Sequence, residues 1–181
     1  MRVVFGGHSA QRLEEGEMDE VIIRKATVED LGAINDIYNY YVSHSTCTWQ
    51  VEPETAEERA KWFAEHDERH PVTVAEADGE VIGWGALSRF RGREAYRNTV
   101  EDSVYVRHDK HRRGIGRAIV ADLIARARAI GHHTIIASIS ADQKPSIALH
   151  EAMGFVEVAH MREVGTKFDN WMDLVYLQLM L

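Results

Sequence analysis

The chain has 181 residues, enough to bury the core of one domain and too few for several. Hydrophobic residues make up 45% and the formal net charge is −8, so a chain-wide nucleic-acid footprint is excluded; basic character is confined to Arg89–Arg97 and Arg107–Arg117. A single cysteine, Cys47, excludes an internal disulfide and fits a cytoplasmic setting, and the sequence shows neither a membrane-length apolar run nor a signal-peptide pattern.

Residues 1–18 lack a sustained period and read as a loose N-terminal extension, with Met18 as a candidate start and residues 19–181 as one domain. Val21–Arg24 reads as a first strand. Thr27 and Asp30 have capping-box spacing ahead of a helix with Leu31, Ile34, Ile37, Tyr38 and Tyr41 on one face. Thr55 and Glu58 open a second helix that runs towards His70-Pro71. Asp78-Gly79 between Val72–Ala77 and Val81–Ser88 is a strong hairpin signal. A polar, arginine-rich loop from Arg89 to Asn98 leads into a strand at Thr99–Arg107. Gly114–Ile130 is helical in period and closed by Gly131. A strand at Thr134–Ile139, a short helix at Pro145–Met153 and a strand pair at Phe155–Val164 and Trp171–Leu179 complete the chain. Strands and helices mix along the length, which predicts an α/β or α+β domain with one mixed sheet.

The segment Val104 to Arg117 carries the most chemistry. A strand ends in a basic turn, and Gly114 and Gly116 precede a helix. The first N–H groups of a helix have no partner within it, and the helix dipole adds partial positive charge there. Glycine lets the backbone approach a phosphate closely, and Arg112, Arg113 and Arg117 can add charge-assisted hydrogen bonds. No Gly-Lys-Ser/Thr ending and no third glycine at dinucleotide spacing is present, so this is neither a P-loop nor a Rossmann fingerprint. A phosphorylated cofactor held in another way fits; a mere tight turn is the plainer alternative.

Several segments together resemble the GNAT acyltransferase superfamily. His111-Arg112-Arg113-Gly114-Ile115-Gly116 is similar to its Arg/Gln-x-x-Gly-x-Gly/Ala signature, with His at the first position. Thr99–Val106, Ser146–Glu151, the Gly165–Asp173 hairpin and Ile34–Asn39 resemble the phosphinothricin-type N-acetyltransferases in particular, and the likeness spans residues 20–181. The resemblance implies a mixed, mostly antiparallel central sheet flanked by helices. It implies acetyl-CoA as co-substrate, a homodimer, and a small amine acceptor rather than nucleic acid or membrane. Val104, Tyr105 and Val106 would pair with pantetheine, and Arg112, Arg113, Gly114, Ile115, Gly116 and Arg117 would hold the pyrophosphate. Gln143 and Ser146 would add cofactor contacts; Gln143 stands where relatives often carry Asn.

Acetyl transfer to an amine needs a base, because an amine of pKa about 9 is only about 1% neutral at pH 7, and a positioned base contributes roughly 10²–10⁴-fold. Glu101 shares a strand face with Ser103 and Tyr105, in a strand rich in valine that should desolvate it. On the residues alone it reads rather as a solvent-facing carboxylate of an edge strand; the resemblance assigns it the base role. His150 stands where many relatives place a Tyr that protonates the leaving thiolate, and is otherwise readable as a surface histidine. Arg91 and Arg93 lie where the family contacts the acceptor's anion, with Phe90 as an aromatic wall and Thr48 in the opposite wall; a solvated basic loop is the alternative. No third ligand joins His66 and His70, so no metal is expected. The four tryptophans are expected in the core or as pocket wall. The expected function is acetylation of the α-amino group of an amino-acid analogue such as phosphinothricin, methionine sulfoximine or methionine sulfone. A polyamine, aminoglycoside or protein N-terminus as acceptor, or a non-catalytic acyl-CoA sensor, remains open.

Overall fold

The computed structural model describes residues 21–181. The expected N-terminal extension lies outside them. One seven-stranded sheet runs through the domain: β1 (Ile22–Lys25), β2 (Val72–Ala77), β3 (Glu80–Arg89), β4 (Thr99–Val106), β5 (Thr134–Ser140), β6 (Val156–Lys167) and β7 (Asn170–Met180). Their spatial order is β1-β2-β3-β4-β5-β7-β6. Among the described strands only β4 and β5 pair in parallel; every other neighbouring pair is antiparallel.

Alternation along the strands divides the side chains between two cores. Helices α1 (Leu31–His44) and α2 (Ala56–Ala64) cover one face, where Ile34, Ile37 and Tyr41 meet Val74, Trp84 and Ala86. Helices α3 (Ile115–Ile130) and α4 (Lys144–Ala152) cover the other, where Ile119, Val120 and Leu123 meet Leu87, Val100 and Ile135. Gly85 lets α3 sit directly on β3: a Cβ there would lie 2.4 Å from Ile119 Cγ2.

Thr27 and Asp30 do form a capping box, but it caps a 3₁₀ turn at Val28–Asp30 that leads into α1. Helix α2 stops at Ala64, well short of His70-Pro71. Asp67 Oδ1 accepts the backbone N–H groups of Arg69 and His70, and this local turn replaces a further helical turn. The last two strands are longer than the alternation suggested, because Phe168 and Asp169 both take positive φ (50° and 57°) and close a tight hairpin. Trp84 is core, and Trp62 packs edge-on against it. Trp49 lies over Gly165, where a Cβ would stand 2.2 Å from its ring. Trp171 departs from expectation: it is 68% exposed, on the outer hairpin beside the edge strand.

Candidate active site

The site is built around a fork in the sheet. The β4–β5 ladder consists of Thr99↔Thr134, Val100↔Ile135 and Glu101↔Ile136 and ends there, although β4 runs on to Val106 and β5 to Ser140. Beyond the fork β4 is paired only with β3. The Arg107 N–H donates to the Ile82 carbonyl, so odd positions of β4 turn their backbone towards β3 and even positions turn theirs into the fork. Val104 and Val106 therefore present backbone groups to the gap. The Val106 carbonyl accepts from the Tyr41 hydroxyl and lies 3.2 Å from His111 Nε2. Tyr105 belongs to the β3 ladder, and its ring stacks on Trp84 at 4.8 Å.

The basic turn follows β4. Arg112 has φ 60° and Gly114 φ 79°, two left-handed residues separated by one, which gathers successive N–H groups towards a common point. Gly114 caps α3 without a side-chain acceptor, so the first N–H groups of α3 stay open to a ligand. Ile115 is buried and anchors the helix, while Gly116 lies against Leu149 of α4, where a Cβ would stand 3.2 Å from Leu149 Cδ2. Arg112, Arg113 and Arg117 are exposed, and among the described residues none of them is in an ion pair. His111 Nε2 lies 2.6 Å from the Tyr41 hydroxyl, so this turn is tied to α1.

Glu101 stands at the last rung, half-buried, with its side chain on the α1/α2 face. Burial pushes its carboxyl above the ordinary glutamate value, the Ser138 hydroxyl opposes this by hydrogen bonding, and the Asp102 charge adds to the rise. Asp102, one residue on, points to the other face. Its Oδ2 is 3.0 Å from His150 Nε2, and the two side chains are 2% and 4% exposed. His150 Nδ1 lies 2.8 Å from the Ser146 carbonyl, which can only accept, so Nδ1 carries a proton. The second nitrogen then shares a proton with Asp102. Burial lowers the pKa of His150, but the Asp102 hydrogen bond and charge, with the Ser146 carbonyl, outweigh it and the net shift is upward. Asp102 Oδ1 is buried without a hydrogen-bond partner.

The other expected site residues are distributed around this fork. The Gln143 amide donates to Thr46 Oγ1 at 2.8 Å, joining the start of α4 to the loop after α1. Ser146 is half-buried in the first turn of α4. Arg91 stacks over the Phe90 ring (5.0 Å) and near Tyr96 (5.7 Å); Arg91 and Arg93 are exposed. Thr48 is buried, and its hydroxyl is engaged with the Tyr38 hydroxyl at 2.8 Å. Lys167 of β6 donates to the carbonyls of Ser45 and Thr48 and fixes that loop. Cys47 is half-buried, and burial pushes its thiol up. No cluster of metal-ligating side chains exists among the described residues.

Sequence reasoning missed Asp102, although an acid beside Glu101 and facing the other core was a usable signal. It also missed Arg59, which looks like a surface residue of a charged helix. Its guanidinium is 2% exposed, lies 4.6 Å from the ring centroids of Tyr38 and Trp62, and is 2.7 Å from Glu54. Nothing in the spacing announces that box, because its walls come from α1, α2 and β3.

The fork, the open helix N-terminus and the unpaired arginines suit an extended, phosphorylated thioester, because they offer backbone pairing and anion capture in one line. An acetyltransferase (GNAT) domain matches residues 23–176. The chain is 42% identical over 159 residues to an L-methionine sulfoximine/L-methionine sulfone acetyltransferase of Pseudomonas paraeruginosa, covering 87% of this chain and 92% of that one. It is 39% identical over 160 residues to an L-amino acid N-acyltransferase of Escherichia coli, covering 88% and 93%. A GNAT superfamily phosphinothricin acetyltransferase from Sinorhizobium meliloti, solved in complex with acetyl-CoA, superposes with a TM-score of 0.86 at 36% identity, covering 89% of this chain and 88% of that one. The chain belongs to the GNAT acetyltransferases and is an acetyl-CoA-dependent N-acetyltransferase.

Proposed function

We propose that the enzyme acetylates the α-amino group of a small amino-acid analogue of the phosphinothricin, methionine sulfoximine or methionine sulfone type, by direct transfer with Glu101 as base. The observation that carries this is the position of Glu101: half-buried at the last rung of the fork, with a raised pKa. Relatives named for methionine sulfoximine and phosphinothricin support the acceptor class.

Acetyl-CoA supplies the activated acetyl group as a thioester. Val104 and Val106 offer backbone groups to its pantetheine arm, and Arg112, Arg113, Arg117 and the N–H groups after Gly114 hold the pyrophosphate. Gln143 and Ser146 lie at the neighbouring start of α4. On the opposite face Glu101 takes a proton from the bound ammonium, so that a neutral amine meets the thioester carbonyl. Arg91 and Arg93 receive the acceptor's anionic end, with Phe90 as wall and Thr48 behind. His150 is the proposed source of the thiolate's proton; both of its ring nitrogens are engaged at rest, with the Ser146 carbonyl and Asp102, so it must release one of these contacts to reach the sulfur. Cys47, half-buried with a raised pKa, is not used as a nucleophile.

A homodimer and a cytoplasmic setting belong to the same proposal. Val156, Val158, Met161 and Val164 on β6, with Trp171 beside them, are exposed along a sheet edge, a surface suited to a second copy.

The test is thiol release from acetyl-CoA with phosphinothricin, methionine sulfoximine, methionine sulfone and spermidine. Turnover with one or more of the first three is expected. Turnover with spermidine alone contradicts the acceptor class, and acetyl-CoA binding without any turnover favours the sensor.

A further inference from the structure

We propose that His66, acting through Ser88, is the exit for the proton that Glu101 removes from the amine. This rests on the reading of Glu101 as the base.

Ser88 of β3 is the register partner of Glu101 of β4, so the two side chains emerge side by side on the acceptor face. His66 follows α2 and reaches Ser88 from above: Nε2 lies 3.1 Å from Ser88 Oγ. Its other nitrogen, Nδ1, lies 2.8 Å from the Trp62 carbonyl. A carbonyl only accepts, so Nδ1 bears the proton and Nε2 presents a lone pair to the Ser88 hydroxyl. The serine therefore donates to the histidine, and its own lone pairs are left for a donor on the Glu101 side.

That orientation suits one direction of proton flow. Once the Glu101 carboxylate has taken a proton from the ammonium nitrogen, the carboxylic acid can donate to Ser88 Oγ while the serine proton moves to His66 Nε2. Glu101 returns to carboxylate, the serine returns to hydroxyl, and the imidazolium holds the proton. It then loses the proton to solvent, because His66 and Ser88 line a cavity of about 470 Å³ together with Trp62, His70 and Arg89. His66 is neutral beforehand: burial lowers its pKa, His70 adds to that, and the Trp62 carbonyl, Glu65 and Asp67 act the other way. Its ring also lies 4.3 Å from the Trp62 ring, which holds it in place.

The relay is tested with His66→Gln, His66→Ala, Ser88→Ala and Glu101→Gln, using the amine that the wild type turns over fastest. Expected are a fall in kcat of about tenfold or more in the His66 variants, an unchanged KM for acetyl-CoA, and recovery of His66→Ala by added imidazole, which the cavity can admit. In His66→Gln the part of the acid limb that His66 contributes to kcat should disappear and the limb of Glu101 remain. Independently of any acceptor, nitrogen NMR of the acetyl-CoA complex should show His66 neutral and protonated on Nδ1 at pH 7. Wild-type kcat in both His66 variants, a loss that imidazole does not restore, or a proton on Nε2 overturns the relay. Loss of turnover in Glu101→Gln with normal His66 variants removes the relay and leaves the base; full turnover in Glu101→Gln removes both.

Discussion

Asp102 Oδ2 and His150 Nε2 meet across the junction of β4 and α4, at 3.0 Å, directly behind the point where the β4–β5 ladder ends. The pair ties α4 to the apex of the fork, and both groups are nearly sealed from water. Removing one partner of such a pair leaves the other buried and unpaired, a loss of about 3–5 kcal/mol. His150 has a folded pKa above its ordinary value of 6.5. Its stabilisation is therefore complete below that value and is lost as pH rises through the raised one. The difference in melting temperature between wild type and Asp102→Asn should be large near pH 6 and shrink towards pH 9. A difference that does not change with pH contradicts a charged pair.

Arg91 rests on Phe90 and Tyr96 with its guanidinium exposed, and it is the group proposed to receive the acceptor's oxyanion. A charge-assisted hydrogen bond contributes about 1.5–3 kcal/mol. Arg91→Ala should raise the acceptor KM roughly 10- to 100-fold, by the same energies, and leave the acetyl-CoA KM unchanged. Steady-state kinetics with each substrate varied in turn checks this; a rise in the acetyl-CoA KM instead would move the arginine to the cofactor side.

Gly85 and α3 set the seating of the basic glycine turn proposed to hold the pyrophosphate. Gly85→Ala places a Cβ 2.4 Å from Ile119 Cγ2, 3.0 Å from Leu123 Cδ1 and 3.1 Å from the Ser103 carbonyl. Overpacking of this kind costs about 1–3 kcal/mol. Because the shifted element begins at Gly114, calorimetry should show a lower melting temperature and titration a weaker acetyl-CoA affinity. A stable variant with unchanged affinity contradicts this coupling.

Trp171, 68% exposed beside the apolar residues of β6, gives the proposed homodimer a direct test. Trp171→Glu should convert a dimer to a monomer in light scattering while retaining acetyl-CoA binding. A wild type that is already monomeric at working concentration contradicts the proposed assembly.

The sequence made local devices legible and long-range ones obscure. The basic glycine turn, the Asp78-Gly79 hairpin and the alternation that puts Glu101 beside Ser103 depend on neighbours a few residues apart, and all appear in the structure. The Asp102–His150 pair joins positions 48 apart, and it exists only once α4 has docked on β4. His150 was singled out by resemblance, but its burial and its carboxylate partner were not readable. Arg59 was invisible for the same reason: the helix carrying it is rich in charge, while three aromatic rings from three elements make its surroundings. The Phe168-Asp169 turn lacks the usual Asn-Gly composition, so composition does not mark how far the last two strands extend towards each other.

The most direct measurement is kcat against pH, from about pH 5 to 10, for wild type and Glu101→Gln with both substrates saturating. A base must be unprotonated to act, and burial holds the Glu101 carboxyl above its ordinary value. Wild-type kcat should therefore rise with pH along a limb lying above the usual carboxylate range. The variant should fall roughly a hundredfold or more and lose that limb. A variant within tenfold of wild type, with the same acid limb, contradicts Glu101 as the base.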